Sequence, residues 1–228
     1  RFGKVAATDN NMGHKCGTGA RACEEWELWG TAILNSSSNL LVLPALRVLY
    51  RQGLRFETMF AILGLISSSL YHFCEPLGVI VLNMNDGQWH RLDNVAAIMC
   101  FVNLFVYLSD FREGWIDEYL KYLMLGLTLM LQESGPWQLR NTLVPIFIAA
   151  SFPVLRCIPE VKKPDYDWRN FSIGWGLMGV AFVFFALGLD DAHDYLRCYH
   201  AAWHVFASAS SYFLWQIVLS HRYKFHMT

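Results

Sequence analysis

The chain has 228 residues, of which 54% are hydrophobic and 16% are charged, and its formal net charge is -1 at pH 7. That apolar content exceeds what one soluble domain of this length usually needs, and it is gathered into stretches near the roughly 20 residues that a helix needs to cross about 30 Å of hydrocarbon. The balanced charge lacks the basic surface typical of nucleic-acid-binding proteins, so we expect no nucleic-acid partner. The composition favours an integral membrane protein.

A polar leader precedes the first apolar stretch. Residues 1–27 are rich in Gly, Asn and charge, which predicts an exposed extracytoplasmic leader rather than a domain. Cys16 and Cys23 are close enough in sequence to close a disulfide loop there, although two free thiols fit the spacing as well. The chain starts at Arg1 rather than Met, which leaves open a processed product or a fragment.

Seven apolar stretches follow, and they predict an all-α, polytopic seven-helix membrane bundle over residues 28–219, with a cytosolic tail at 220–228. The fourth stretch is the shortest and spans comfortably only if it borrows residues 116–120. The predicted spans are Leu28–Tyr50, Phe56–Phe73, Leu92–Leu108, Tyr119–Leu131, Leu143–Ile158, Phe171–Leu189 and Tyr199–Leu219.

The distribution of basic residues predicts the orientation, because Lys and Arg beside a span are retained on the cytoplasmic side. One set of alternate loops contains far more of them than the other. The richer set holds Arg47, Arg51, Arg55, Arg112, Lys121, Arg156, Lys162, Lys163, Arg169, Arg222 and Lys224, and the poorer set holds Arg91, Arg140 and Arg197. We therefore expect an extracytoplasmic N-terminus and a cytosolic C-terminus, without an indication of which membrane.

Histidines at the ends of two spans are the candidate metal ligands. Ionisable residues in a span cost on the order of 3 kcal/mol, so each calls for a reason. His72 ends the second span, and Ser68 lies one turn before it on the same helical face. His200 and His204 open the seventh span at a four-residue spacing, at which two imidazoles of one helix can bind one metal ion.

The threading of the spans brings these histidines to the same membrane face as Asp93, near the start of the third span. Three imidazoles are the protein ligands of an open zinc site, which leaves one position for water or substrate. Asp93 is then the candidate general base and Ser68 the candidate oxyanion donor. Alternatively, each histidine is an ordinary interfacial residue. Imidazole ligands also suit other first-row ions.

Three further polar features are given structural interpretations. The polar run at residues 35–39 of the first span predicts a helix–helix contact or a wet cavity. The acidic turn at residues 190–194 predicts a solvated loop, with support of the metal site as the alternative. His14 and His90 are predicted to be exposed.

The Ser-x-x-x-His pattern of the second span, the Asp of the third and the His-x-x-x-His of the seventh resemble the motifs of the CREST superfamily. This superfamily of seven-pass membrane hydrolases and receptors includes alkaline ceramidases and adiponectin receptors. The sequence YHFCEPLG at residues 71–78 and the pair Asp194-Tyr195 are similar to segments of its myomaker and GPI-anchor phospholipase branch.

The resemblance implies zinc held by His72, His200 and His204, with Asp93 and Ser68 beside it and a membrane lipid as ligand or substrate. It implies a zinc-dependent lipid hydrolase that cleaves an ester or amide bond with metal-activated water. Two alternatives stay open: a non-catalytic, myomaker-like membrane-remodelling or scaffold protein with a structural metal site, and a lipid-responsive receptor. An oligomer or a subunit of a membrane complex also fits.

Overall fold

A computed structural model of the chain describes residues 23–111, 114–135, 138–156, 164–190 and 193–220. Over these residues the chain is all α, with seven helices and no strands, as the sequence predicts. The helices are α1 Glu25–Arg51, α2 Arg55–Leu77, α3 Asp86–Ser109, α4 Gly114–Ser134, α5 Leu139–Arg156, α6 Trp168–Leu187 and α7 Cys198–Leu214. Outside the described residues lie most of the predicted leader with His14 and Cys16, the tail after Ser220, and Arg112, Lys162, Lys163 and Asp191.

The first helix begins with a capping box and tightens in its middle. The backbone N–H of Glu24 donates to the Glu27 carboxylate at 2.8 Å, which satisfies a donor that the helix start leaves open. A 3₁₀ turn at Asn39–Val42 interrupts the helix just before Pro44, which has no N–H to donate to the carbonyl one turn back. Cys23, just before the helix, is disulfide-bonded, and a bridge from it to Cys16 stays an interpretation of their spacing.

The third helix is the centre of the bundle. It contributes side chains to two hydrophobic clusters, one shared mainly with α1, α6 and α7 and the other with α2, α4 and α5. Small residues allow close helix contacts: a side chain at Gly64 of α2 would meet Ala96 of α3, and Gly174 of α6 packs directly under Leu214 of α7. These contacts fix which helix faces meet inside the bundle.

The outer surface of the bundle is apolar. The helices α1, α2, α3 and α6 are long and apolar enough to cross a membrane, and α6 is the least buried of the four. Large hydrophobic side chains point outward, as at Met130, Phe147 and Val183. Water-soluble monomers rarely expose apolar patches on this scale, so the bundle is membrane-like.

The last helix ends earlier than predicted. The predicted span continues to Leu219, but α7 ends at Leu214 and the chain turns back toward the start of α6. There the backbone N–H of Asp167 donates to the Ile217 carbonyl at 2.8 Å, and the buried Tyr107 hydroxyl bonds to the same segment. These partners satisfy backbone groups that a longer helix would pair internally, so the predicted boundary is wrong.

The fourth helix includes the borrowed residues and buries a lysine. It runs over Gly114–Ser134 and so includes the borrowed residues 116–120, while its crossing of a membrane stays a prediction. The assignment of Lys121 to a loop is wrong: Lys121 lies inside α4, 9% exposed, in an ion pair with Glu57 of α2. Lys121 therefore does not count among the basic residues of the loops. The orientation of the chain in the membrane stays a prediction from the other basic residues.

Candidate metal centre

Helices α2 and α7 bring three histidines together. One ligand atom from each of His72, His200 and His204 lies within 4.8 Å of the others, and the Nε2 atoms of His72 and His200 are 3.1 Å apart. Tetrahedral zinc with Zn–N bonds of about 2.0–2.1 Å places its nitrogens about 3.4 Å apart. The pair of His72 and His200 is already close to this spacing, and the three imidazoles could hold one metal ion.

The histidines lie inside the bundle rather than at its rim. His72 is 2% exposed and His204 8%, while His200 is half-buried. The predicted second span ends too early, because α2 continues past His72 to Leu77. The predicted third span begins too late, because α3 already begins at Asp86. An interfacial histidine would face the polar headgroup layer, so this burial favours a ligand cluster over the interfacial alternative.

Helix α1 orients one of the histidines. Ser38 donates its hydroxyl to the Asn35 carbonyl at 2.7 Å, and its oxygen lies 3.1 Å from Nδ1 of His204. Serine has a single O–H, so we infer that Nδ1 of His204 carries the proton and donates to Ser38. That tautomer leaves the Nε2 lone pair for a metal. The role of Ser38 was not predicted, although its polar run in an apolar span was a signal.

Asp194 holds the turn that carries His200. Its carboxylate accepts from the backbone N–H groups of Tyr199 at 2.8 Å and His200 at 3.1 Å, and the residue is 3% exposed. The solvated-loop prediction is therefore wrong for Asp194, which supports the cluster through the backbone. It is right for Asp190 and His193, which form an exposed pair.

The candidate acid–base residues Ser68 and Asp93 lie on the wall of a cavity of about 560 Å³, which His200 and His204 also line. Ser68, one turn before His72 on α2, hydrogen-bonds Asp93 of α3. Asp93 is not one of the three closely grouped ligands. The structure thus places a Ser–Asp pair next to the cluster, and the cavity has the size of a ligand site.

A network of polar side chains lies beside the histidine cluster, and the sequence did not predict the part that His90 takes in it. His90 was predicted to be exposed, which is wrong: it is half-buried, lines the cavity and lies 4.7 Å from Tyr71 between ring centroids. Tyr71 donates to Glu75 at 2.8 Å, and Glu75 pairs with Arg197 at 2.9 Å. The signal for His90 was its position one turn before Asp93, on the same face of α3.

Fold and site together define a helical, membrane-like bundle with a buried three-histidine cluster that opens on a cavity. The sequence matches a family model described as "Protein of unknown function (DUF3522)" over residues 27–205. The match covers more than half of the chain, so the protein belongs to this family. No curated protein sequence matches it. The matched region contains all three histidines together with Ser68 and Asp93.

Proposed function

We propose that the protein is a zinc-dependent membrane lipid hydrolase that cleaves an ester or amide bond. The observation that carries this proposal is the cluster of His72, His200 and His204, two of which, His200 and His204, line the same cavity as the hydrogen-bonded pair of Ser68 and Asp93. The resemblance of these residues to the motifs of the CREST superfamily agrees with it.

The donor set suits zinc, and the neighbouring residues suit hydrolysis. Zinc bound by the three histidines would polarise a carbonyl and lower the pKa of a water toward about 7. Asp93 accepts the proton of the attacking water and returns it to the departing alcohol or amine, so that ester or amide plus water gives acid plus alcohol or amine. The acyl chain lies against apolar cavity residues such as Leu65, Ala97 and Phe101.

The hydrogen bond between Ser68 and Asp93 sets the order in which they act. Serine has one O–H, and Ser68 donates it to the carboxylate in the resting state. Once Asp93 is protonated, it donates to the Ser68 oxygen, and the Ser68 O–H turns to the oxyanion. Ser68 therefore stabilises negative charge only after Asp93 has accepted a proton.

Turnover of defined lipids tests the proposal. The purified chain, zinc-loaded in nanodiscs, is offered a phosphatidylcholine, a monoacylglycerol and a ceramide, and the products are followed by mass spectrometry. We expect turnover of at least one lipid and a loss of about 10²-fold or more in Asp93→Asn with zinc retained. Asp190→Asn, which changes an exposed carboxylate, is the matched control with unchanged turnover.

Zinc-loaded protein that turns over no lipid in the panel would refute the hydrolase. Retained zinc with a fully protein-ligated fourth position would then favour the scaffold, in which the metal ties α2 to α7. Lipid binding that moves the cytosolic loops without turnover would favour the receptor.

A further inference from the structure

The cavity extends well beyond the histidine cluster. One face of α2 lines it from end to end, because its lining residues recur every three or four positions. These residues are Glu57, Ala61, Gly64, Ser68, Tyr71 and Glu75. The rise from Ser68 back to Glu57 is about 16 Å along the helix. Glu57 thus marks a second end of the cavity, far from the histidines.

The packing of α2 against α3 places an asparagine at that second end. The two helices run antiparallel in a constant register. Facing pairs are Tyr71 with His90, Ser68 with Asp93, and Gly64 with Ala96. The same register sets Glu57 level with Asn103, and both residues line the cavity.

Asn103 is buried in an apolar setting. It is 0% exposed, and neither atom of its side-chain amide has a hydrogen-bond partner among the described residues. An amide that stays unpaired in a protein interior costs about 1–3 kcal/mol. The cavity wall also includes Leu49, Leu104 and Trp215, which belong to one hydrophobic cluster. The Asn103 amide therefore offers one donor group and one acceptor to a molecule in the cavity.

The charge of Glu57 is balanced inside the protein. Glu57 is 3% exposed and its carboxylate pairs with Lys121 of α4, so within the part of the chain that the structure describes these two charges cancel at this end of the cavity. A cation gains little here because Lys121 already neutralises Glu57, and an anion is repelled by the carboxylate. A neutral group that both donates and accepts a hydrogen bond fits both Glu57 and Asn103.

We propose that Glu57 and Asn103 form a second polar subsite that binds the hydroxyl group of a neutral long-chain amphiphile. The hydroxyl donates to the Glu57 carboxylate and accepts from the Asn103 amide, and the alkyl chain follows the apolar cavity wall. This subsite does not depend on the metal or on the hydrolase activity.

Competition for a photoreactive probe tests the subsite. The full chain in nanodiscs is labelled with a diazirine-bearing long-chain alcohol, and tetradecanol and tetradecane compete at equal mole fractions in the bilayer. We expect the alcohol to compete about tenfold better than the alkane, with labelling on the peptide that contains Asn103. Equal competition by tetradecanol and tetradecane in the wild type overturns the proposal.

Matched variants show which residue gives the cavity its preference for the alcohol over the alkane. Asn103→Leu removes the amide at similar volume, and the alcohol preference should disappear. Thr128→Val is the control, because Thr128 is equally buried and its hydroxyl has no partner among the described residues, but it does not line the cavity. The control should keep the preference, and so should His200→Ala. Loss in His200→Ala would place the alcohol at the histidines and refute the subsite; thermal unfolding verifies the fold of each variant.

Discussion

Replacing Lys121 by methionine should strongly destabilise the bundle. The substitution keeps the side-chain volume but removes the cation that faces the Glu57 carboxylate, which is 3% exposed. Breaking a buried ion pair by removing one partner costs about 3–5 kcal/mol. In a chain of this size 1 kcal/mol corresponds to about 2–4 °C in Tm, so we expect Tm to fall by roughly 6–20 °C.

Thermal unfolding in detergent at fixed metal content measures this effect. The matched control is Arg91→Met, which breaks the ion pair with Glu133, whose side chains are 46% and 72% exposed, and should cost less than about 1 kcal/mol. The double variant Lys121→Met/Glu57→Gln should recover much of the loss, because it leaves no buried charge. Equal Tm shifts in Lys121→Met and Arg91→Met, or a double variant no more stable than Lys121→Met, would refute the reasoning.

Two further substitutions test the packing and the metal centre. Gly174→Ala should lower the free energy of unfolding by about 1–3 kcal/mol, because its Cβ would lie 2.6 Å from a leucine side chain of α7. The control Gly176→Ala has open space around its Cβ and should be neutral or stabilising by up to about 1 kcal/mol. Chemical or thermal unfolding measures both variants. Ser38→Ala should weaken zinc binding about 10–100-fold, because it removes the hydrogen-bond partner of His204 Nδ1. The control Ser37→Ala removes a hydroxyl that bonds within its own helix and should leave the zinc affinity unchanged. Chelator competition measures both affinities, and equal affinities in the two variants would contradict the role assigned to Ser38.

The fold was largely predictable because each span is a long apolar segment. A long apolar segment indicates a helix that is surrounded by lipid or by the protein core, and all seven predicted spans correspond to helices. Their ends were less predictable, because tertiary partners set them. The end of α7 at Leu214 depends on hydrogen bonds from Tyr107 and from the loop before α6, which no local pattern reveals.

The candidate site was predictable where its residues share one helix. The four-residue spacing indicated that His200 and His204 act together, and the alternation of spans brought His72 to them. The roles of Ser38 and Asn103 were not predictable, because they depend on how helices distant in sequence pack; Ser38 and His204 are 166 residues apart. Likewise, the sequence alone suggests that Lys121 is a charge beside a span, and only the position of α4 relative to α2 shows that it pairs with Glu57.

Metal content tests the central claim most directly. Elemental analysis compares the purified wild type with His200→Ala and with the control His193→Ala, which removes an exposed histidine outside the cluster. We predict near-stoichiometric zinc in the wild type and in His193→Ala, and its loss in His200→Ala. A wild type without bound metal, or equal zinc in all three proteins, would contradict the account.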